Sequence, residues 1–235
     1  MRSFLKTALG VLLLSLPFAS CDKDDDDDDD TPAAGNARVN VVHASPNGPN
    51  VDVRVNNAVA LSNVAYGAAS GYQTVTAGNT NIKVSPTGTT TYVIDANVNL
   101  AANMSYSVFA VDSVSRIKAA VVGDDLTAPA AGKAHVRFLH FSPNAPAVDI
   151  AVTGGAVLFA NRSFNDQATN AAVTGFTSVN AGTYNLEVRL AGQSAAALAL
   201  PPVTLESGKI YTVYAKGFLG GTGAQALGAG MFTHN

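Results

Sequence analysis

Apolar and polar residues alternate with a period of two through much of the chain beyond residue 36. In segment 94–100, apolar residues fall at every second position and polar residues fill the positions between them. Segment 184–190 repeats this alternation, with Asn185, Glu187 and Arg189 on the polar side. Such a period is typical of strands with one buried face. We therefore predict a chain built of β-strands.

The chain also contains two copies of one sequence pattern. Residues 37–53 match residues 134–150, and further matches follow later in each copy. A tandem duplication of this kind indicates two similar domains. We place domain 1 at 36–126, a short linker at 127–133 and domain 2 at 134–235, and we expect each domain to have its own separate core.

Each copy has room for seven or eight short strands, with Ala-Gly turn signals at 77–78 and 181–182 that we assign to hairpins. This pattern predicts an all-β protein of two tandem immunoglobulin-like antiparallel β-sandwich domains. A domain of about a hundred residues buries enough surface to fold without a disulfide or a metal ion. The sequence contains a single Cys, which excludes a disulfide framework.

The N-terminus has the features of an export signal. Arg2 and Lys6 precede an apolar run at 8–18, which is too short to cross a bilayer as a helix. The run leads into Phe-Ala-Ser-Cys, which resembles the bacterial lipobox, in which the Cys is lipidated after cleavage. We predict a lipoprotein signal peptide at 1–20 and palmitate or a similar acyl chain on Cys21. An ordinary secretory signal followed by a chance Cys is the alternative.

An acidic segment follows Cys21. Residues 24–30 are all Asp, so charge repulsion favours an extended linker over residues 21–35. Lys23, Asp24 and Asp25 resemble the signal that sends some lipoproteins to the outer face of the outer membrane. We expect a lipid-anchored protein that faces the cell exterior. A plain solvated spacer is the alternative, and a Ca²⁺ loop is disfavoured because its ligand spacing is missing.

The charge and composition of the chain indicate which classes of binding partner to expect. The formal net charge is −3 and charged residues make up only 13% of the chain. A nucleic-acid-binding protein would normally carry a basic stripe, so we expect no nucleic-acid partner. No motif calls for a cofactor.

Each copy carries the motif His-x-Ser-Pro-Asn-x-Pro-x-Val-Asp. A Ser/His/Asp triad would make the protein a hydrolase, but alternation places the His at the end of a buried stripe and the Asp on the opposite face. We favour a structural turn, because a Ser before Pro is suited to turn hydrogen bonds and a fold motif must recur in every copy. The motif residues are His43, Ser45, Pro46 and Asp52 in copy 1, and His140, Ser142, Pro143 and Asp149 in copy 2.

This motif, the Ala-Gly turn and a late Leu-x5-Tyr-x-Val strand together resemble domain-of-unknown-function family 4397. The resemblance covers nearly the whole of both copies. It implies an exported bacterial β-sandwich module, often found in tandem and often on lipoproteins, with no established activity or cofactor.

Three further features of the sequence concern possible binding or modification sites. Tyr and Phe residues could form a sugar-binding surface, although the chain has no Trp. His135 and His140 have no acidic partner nearby in sequence, so we predict no metal site. Asp112-Ser113-Val114 resembles an acceptor for bacterial O-glycosylation, which makes Ser113 a candidate site.

We therefore expect a non-enzymatic, surface-exposed lipoprotein that serves as a structural or partner-binding module. A glycan-binding accessory lipoprotein is the first alternative, and a hydrolase that uses the His/Ser/Asp cluster is the second. The protein or glycan partner and the oligomeric state are left open by the sequence.

Overall fold

Strands make up nearly all of the regular structure in residues 35–235, the part of the chain that the computed structural model describes. The first copy, here called sandwich 1, has eight strands and one short 3-10 helix (Val114–Arg116) between the last two. The strands are β1 (Asn36–His43), β2 (Val51–Val55), β3 (Ala58–Val64), β4 (Ala69–Thr76), β5 (Gly78–Pro86), β6 (Ile94–Leu100), β7 (Ser105–Val111) and β8 (Lys118–Asp124).

The second copy, sandwich 2, has ten strands because two of its strands are interrupted. The strands are β9 (Lys133–His140), β10 (Val148–Val152), β11 (Val157–Arg162), β12 (Thr177–Asn180), β13 (Gly182–Tyr184), β14 (Leu186–Leu190), β15 (Ala196–Ala199), β16 (Val203–Leu205), β17 (Ile210–Lys216) and β18 (Gly228–Thr233). Its short 3-10 helices are Asp166–Ala168, Ala171–Val173 and Gly223–Gln225.

Each copy forms two facing four-stranded sheets. Sheet A has the order β4-β1-β7-β8 and sheet B the order β3-β2-β5-β6. The equivalent sheets of sandwich 2 are sheet C, β12-β9-β17-β18, and sheet D, β11-β10-β14-β15, with β13 and β16 paired separately. The all-β sandwich fold is thus confirmed.

One strand pair in each sandwich is parallel, whereas the sequence predicted antiparallel sheets. β1 runs parallel to β7, and β9 runs parallel to β17. All the other pairs in residues 35–235 that form these sheets are antiparallel. β1 and β9 therefore lie inside their sheets, each hydrogen-bonded to a neighbour on both sides.

The Ala-Gly turns are not hairpins, so that prediction was wrong. β4 belongs to sheet A and β5 to sheet B, and the chain passes from one sheet to the other at Ala77. Gly78 has a φ of +105°, a conformation that side chains disfavour. A Gly suits this position because the chain passes there from sheet A to sheet B with a positive φ.

The apolar residues form three clusters rather than two. One fills sandwich 1 around Val53, Ile82 and Leu100, and another fills sandwich 2 around Phe138 and Ile150. The third cluster draws residues from both sandwiches, and its largest members are Phe109, Leu139, Phe141 and Tyr214. The expectation of two separate cores was therefore wrong: sheets A and C bury their outer faces against each other.

Candidate functional site

His43 lies at the end of β1 and is fully buried, as the alternation predicted. Its Nδ1 accepts a hydrogen bond from the Ser45 amide at 3.3 Å, and its Nε2 lies 2.9 Å from the Pro49 carbonyl. This pattern requires a neutral ring with its proton on Nε2. Burial lowers the pKa of His43, and the bond to the Pro49 carbonyl offsets part of that shift.

The Ser-Pro-Asn turn is closed by backbone and Asn contacts. In copy 1 the Gly48 amide donates to the Ser45 carbonyl at 3.2 Å, with Pro46 at the turn position that suits its fixed φ. Asn47 Oδ1 accepts from the Val114 amide at 2.8 Å and so joins this turn to the loop between β7 and β8. Asn47 belongs to the motif but is not among the residues predicted from it as structural.

In copy 2 the Asn and Ser side chains join the equivalent turn to the loop after β17. Asn144 Nδ2 donates to the Leu219 carbonyl at 3.0 Å, and its Oδ1 accepts from the Leu219 amide at 2.8 Å. Ser142 Oγ donates to the Gly217 carbonyl at 2.7 Å, with Pro143 following it in the turn. Ser45 Oγ, in contrast, has no hydrogen-bond partner among residues 35–235.

The two motif aspartates bind backbone amides that lie outside the Ser-Pro-Asn turn. Each carboxylate is largely buried and accepts hydrogen bonds from two backbone amides at 2.6–2.9 Å. The amides belong to Asn63 and Gly88 for Asp52, and to Asn161 and Gly192 for Asp149. All four donors have positive φ. Asn63 and Asn161 lie at irregularities of strands β3 and β11, whereas Gly88 and Gly192 lie in turns, so each Asp holds one strand irregularity and one turn. The bonds from Gly88 and then Asn63 are the main cause of a lowered pKa at Asp52.

The two histidines differ in their surroundings. A Cβ atom at Gly48 would lie 2.9 Å from Cε1 of His43, so the turn packs directly on that ring. Copy 2 has Ala145 at the equivalent position, and the ring nitrogens of His140 have no hydrogen-bond partner in the described chain. Burial lowers the pKa of His140 and the nearby Pro146 carbonyl opposes this shift, although it does not meet hydrogen-bond geometry.

The interface between sheets A and C has an apolar half. The rings of Phe109 and Phe141 lie 4.7 Å apart, and Tyr214 packs edge-on against Phe109 at 6.0 Å. Val42 and Leu139 are fully buried beside them. Aromatic pairs add to the free energy of burial, so this half stabilises the contact between the sandwiches.

The other half of the interface is polar and is centred on Arg137. Arg137 is the largest fully buried side chain in the described chain. Its Nη2 donates to Asp124 Oδ1 at 2.5 Å and its Nη1 to the Gly123 carbonyl at 3.0 Å. Its guanidinium also lies over the ring of Phe176, with Cζ 4.6 Å from the centroid. Burial lowers the pKa of Arg137, and Asp124 opposes that shift.

A chain of side-chain hydrogen bonds runs between Arg137 and Asp124. Arg137 Nε donates to Thr212 Oγ1 at 2.8 Å, and that hydroxyl lies 2.7 Å from His234 Nε2. His234 Nδ1 lies 2.7 Å from the Tyr72 hydroxyl, which donates to Asp124 Oδ2 at 2.6 Å. Every donor meets an acceptor only if His234 is neutral with its proton on Nδ1. Burial accordingly lowers the pKa of His234 to about 4.

Equivalent positions of the two copies carry different residues in this interface. Asp124 lies opposite Ser105 in sheet A, and the His234 amide bonds to the equivalent Ile210 in sheet C. The equivalent pairs are Asp124 with His234, Asn40 with Arg137, Tyr72 with Phe176, and Ser107 with Thr212. The interface faces of sheets A and C are therefore built from equivalent positions, and the residues at those positions complement one another. The only sequence signal for this was the pair of polar residues, Asn40 and Arg137, at matching positions in β1 and β9.

The remaining candidates are distributed over the molecule. Ser113 is half-buried at the start of the first 3-10 helix, where its amide donates to Asp112 Oδ1 at 2.7 Å. Tyr92 is the exposed aromatic side chain of the described residues, at 37%, so no aromatic stripe forms there. Cys21, Lys23, Asp24 and Asp25 lie outside the described residues.

Residues 35–235 hold neither a cluster of metal-ligating side chains nor a helix suited to span a membrane. No three His, Cys, Asp or Glu side chains in that stretch lie together in a way that could hold a metal ion. Nor does the stretch contain a helix with the length and apolar character needed to span a membrane.

The fold and the shared interface define the class: a tandem β-sandwich protein whose two copies form one compact unit. Residues 37–151, about half of the chain, match the family described as Domain of unknown function (DUF4397), in agreement with the resemblance seen in the sequence. The matched stretch covers sandwich 1 and continues through β9 almost to the end of β10. It thus includes Arg137, Leu139 and Phe141, which pack against sandwich 1.

Known proteins add little beyond this family. No curated protein matches the chain. A solved structure, "The Bacillus anthracis TIE protein", is similar at 10% identity and a TM-score of 0.22. The similarity covers 77% of this chain but only 34% of the solved structure. This chain therefore spans about a third of the length of that protein.

Proposed function

We propose that this protein is a non-enzymatic lipoprotein, anchored in the outer membrane through Cys21, that displays its joined sandwiches at the cell surface as a structural or partner-binding module. The observation that carries the non-enzymatic part is the bonding of His43. A serine hydrolase needs a His nitrogen free to take the Ser proton. Both ring nitrogens of His43 are bound to backbone atoms.

The aspartates support the same proposal. In a triad the carboxylate orients the His ring, whereas Asp52 and Asp149 each bind one backbone amide of a strand and one of a turn. The His, Ser and Asp of the motif thus serve separate parts of the fold. Because the motif serves the fold, a partner would bind elsewhere, on the exposed surfaces of the sandwiches.

A direct test combines stability with activity. Replacing His43 with Ala removes both backbone contacts and leaves a small cavity, so it should lower the free energy of unfolding by about 1–3 kcal/mol. Wild-type protein should hydrolyse neither chromogenic esters nor peptide substrates. Unchanged stability together with a hydrolysis rate that His43→Ala abolishes would overturn the non-enzymatic proposal.

The anchoring is tested separately in cells. Cys21→Ala should abolish labelling by palmitate and leave the precursor uncleaved, with Cys21→Ser as a second variant that lacks the thiol. Acyl labelling that persists in both variants would contradict the proposal.

The surface location depends on the acidic segment. Replacing residues 23–30 by a Gly/Ser linker of equal length keeps the reach of the tether but removes Lys23 and the Asp run. The protein should remain lipidated and become protected from protease added to intact cells. Unchanged digestion would mean that the Asp run acts only as a spacer.

A further inference from the structure

An apolar cavity of about 190 Å³ lies between the two sheets of sandwich 2. Val136, Phe138 and Val213 of sheet C line one side, and Ile150 and Leu186 of sheet D line the other. The residues that line it include no charged side chain. Apolar cavities of roughly 150 Å³ bind benzene, so this one has room for a molecule of about six to eight carbon atoms.

Two exposed prolines lie where this cavity meets the surface. In sandwich 1, β6 is continuous and pairs with β5 along its whole length. In sandwich 2 the equivalent strand is broken at Pro201 and Pro202, which lack the N–H that pairing requires. Across the opening, Met231 of β18 is 47% exposed, and all three residues line the cavity. The break therefore gives a ligand a route between the sheets.

A smaller chamber of about 40 Å³ adjoins the cavity and shares Phe138, Ile150, Leu200 and Ala229 with it. His140 lines this chamber, is 1% exposed, and has no hydrogen-bond partner in the described chain for either ring nitrogen. It is the one polar side chain among the residues that line the chamber. A trapped water needs two to four polar partners, which this lining does not supply from its side chains.

The ring of His140 determines what polar group fits. A neutral imidazole has one donor and one acceptor, and burial favours the neutral form by lowering the pKa of His140. A hydroxyl can donate to the bare nitrogen or accept from the N–H, so it can pair with whichever ring nitrogen faces the chamber. A carboxylate would lose its hydration beside a lining that carries no cation.

We propose that sandwich 2 binds a small aliphatic alcohol, with its chain in the larger cavity and its hydroxyl at His140. The site goes beyond the proposed anchoring and display role and does not depend on it. Sandwich 1 does not share the arrangement, because the nitrogens of His43 are bound to its own turn and β6 is unbroken.

The test uses the mature chain and 1-hexanol as the probe. Methyl signals of Val136, Val213 and Leu200 and the ring signals of His140 should shift in a saturable way in NMR spectra. The melting temperature should rise with the alcohol concentration. The ether 1-methoxypentane cannot donate a hydrogen bond and should bind at least threefold more weakly, and hexanoate at pH 7 should bind at least tenfold more weakly.

Two variants locate the ligand. Ala229→Phe fills the part shared by both chambers and should weaken 1-hexanol binding at least tenfold, whereas Ala58→Phe on the exposed edge strand β3 should not change it. His140→Ala should remove the preference for the alcohol over the ether. Absence of saturable shifts in sandwich 2 of the wild-type protein, or equal binding by the Ala229→Phe variant, would overturn the proposal. The wild-type spectra decide the question even if a variant fails to fold.

Discussion

Arg137 of sandwich 2 donates to Asp124 of sandwich 1, and neither side chain has any exposed area. The position equivalent to Arg137 in sandwich 1 is Asn40, and the position equivalent to Asp124 in sandwich 2 is His234. The charged pair is therefore present only once among the described residues, because the equivalent positions carry Asn40 and His234 and Asn40 has no charge. We infer that this pair helps to fix which faces of the sandwiches meet.

Breaking the pair from one side should be costly. Asp124→Ala leaves the Arg137 charge buried without its counter-ion and should lower the free energy of unfolding by about 3–5 kcal/mol in urea titrations. The matched control is Arg116→Ala, which removes an arginine that is 70% exposed and paired with Asp112 at 3.5 Å. That surface change should stay within about 1 kcal/mol. Equal effects from the two variants would contradict the importance of the buried pair.

The sandwiches should unfold together rather than independently. Separate fragments 36–126 and 134–235 would expose Phe109, Phe141 and Tyr214, which are buried in the full chain. Calorimetry should give one transition for the full chain and lower melting temperatures for each fragment. Mixing the fragments should raise both. Two additive transitions in the full chain would show that the interface contributes little.

Stability should fall as the pH is lowered through the range set by His234. Its pKa is lowered to about 4 in the folded protein, compared with about 6.5 in an unfolded chain. Between these values the unfolded state takes up a proton that the folded state does not. The loss should therefore begin near pH 6.5 and approach roughly 3 kcal/mol near pH 4.

His234→Gln offers the control for this pH dependence. Gln keeps a donor and an acceptor but does not titrate in this range. The variant should show a flatter stability curve than the wild type between pH 6.5 and 4 in denaturant titrations. A curve in which His234→Gln is as steep as the wild type would assign the loss to other groups.

The motif aspartate of sandwich 2 should be structural. Asp149→Ala leaves the amides of Asn161 and Gly192 without their acceptor and should cost about 1–3 kcal/mol. Asp95→Ala, at a carboxylate that is 53% exposed, should change stability far less. Hydrogen exchange at the amides of Asn161 and Gly192 provides the local measurement, since both should exchange faster only in the Asp149 variant.

The sequence predicted the features that depend on local pattern. Alternation correctly placed Ile94, Leu100 and His43 inside sandwich 1, because a strand with one buried face repeats every two residues. It could not predict that the other face of β1 is also buried, since a partner sheet far along the chain covers it. Arg137, on the corresponding face of β9, is buried by the partner sheet in the same way.

Glu187 and Arg189 show the same limit. Alternation assigned them to the polar face of β14, yet they are 6% and 8% exposed and pair with each other. Arg189 also donates to the Gly155 carbonyl at 3.2 Å, in the turn between β10 and β11. A period of two distinguishes the faces of a strand but not what lies above each face.

The position of β1 determines how the folded part would respond to tension. Its hydrogen bonds to β4 on one side and to the parallel strand β7 on the other lie across its axis. A load applied along the chain at Asn36 would shear these two rows of bonds at once instead of opening them one by one. The outer face of β1, including Val42, is also held by sandwich 2. Pulling the N-terminal strand out would therefore require the contact between the sandwiches to break as well.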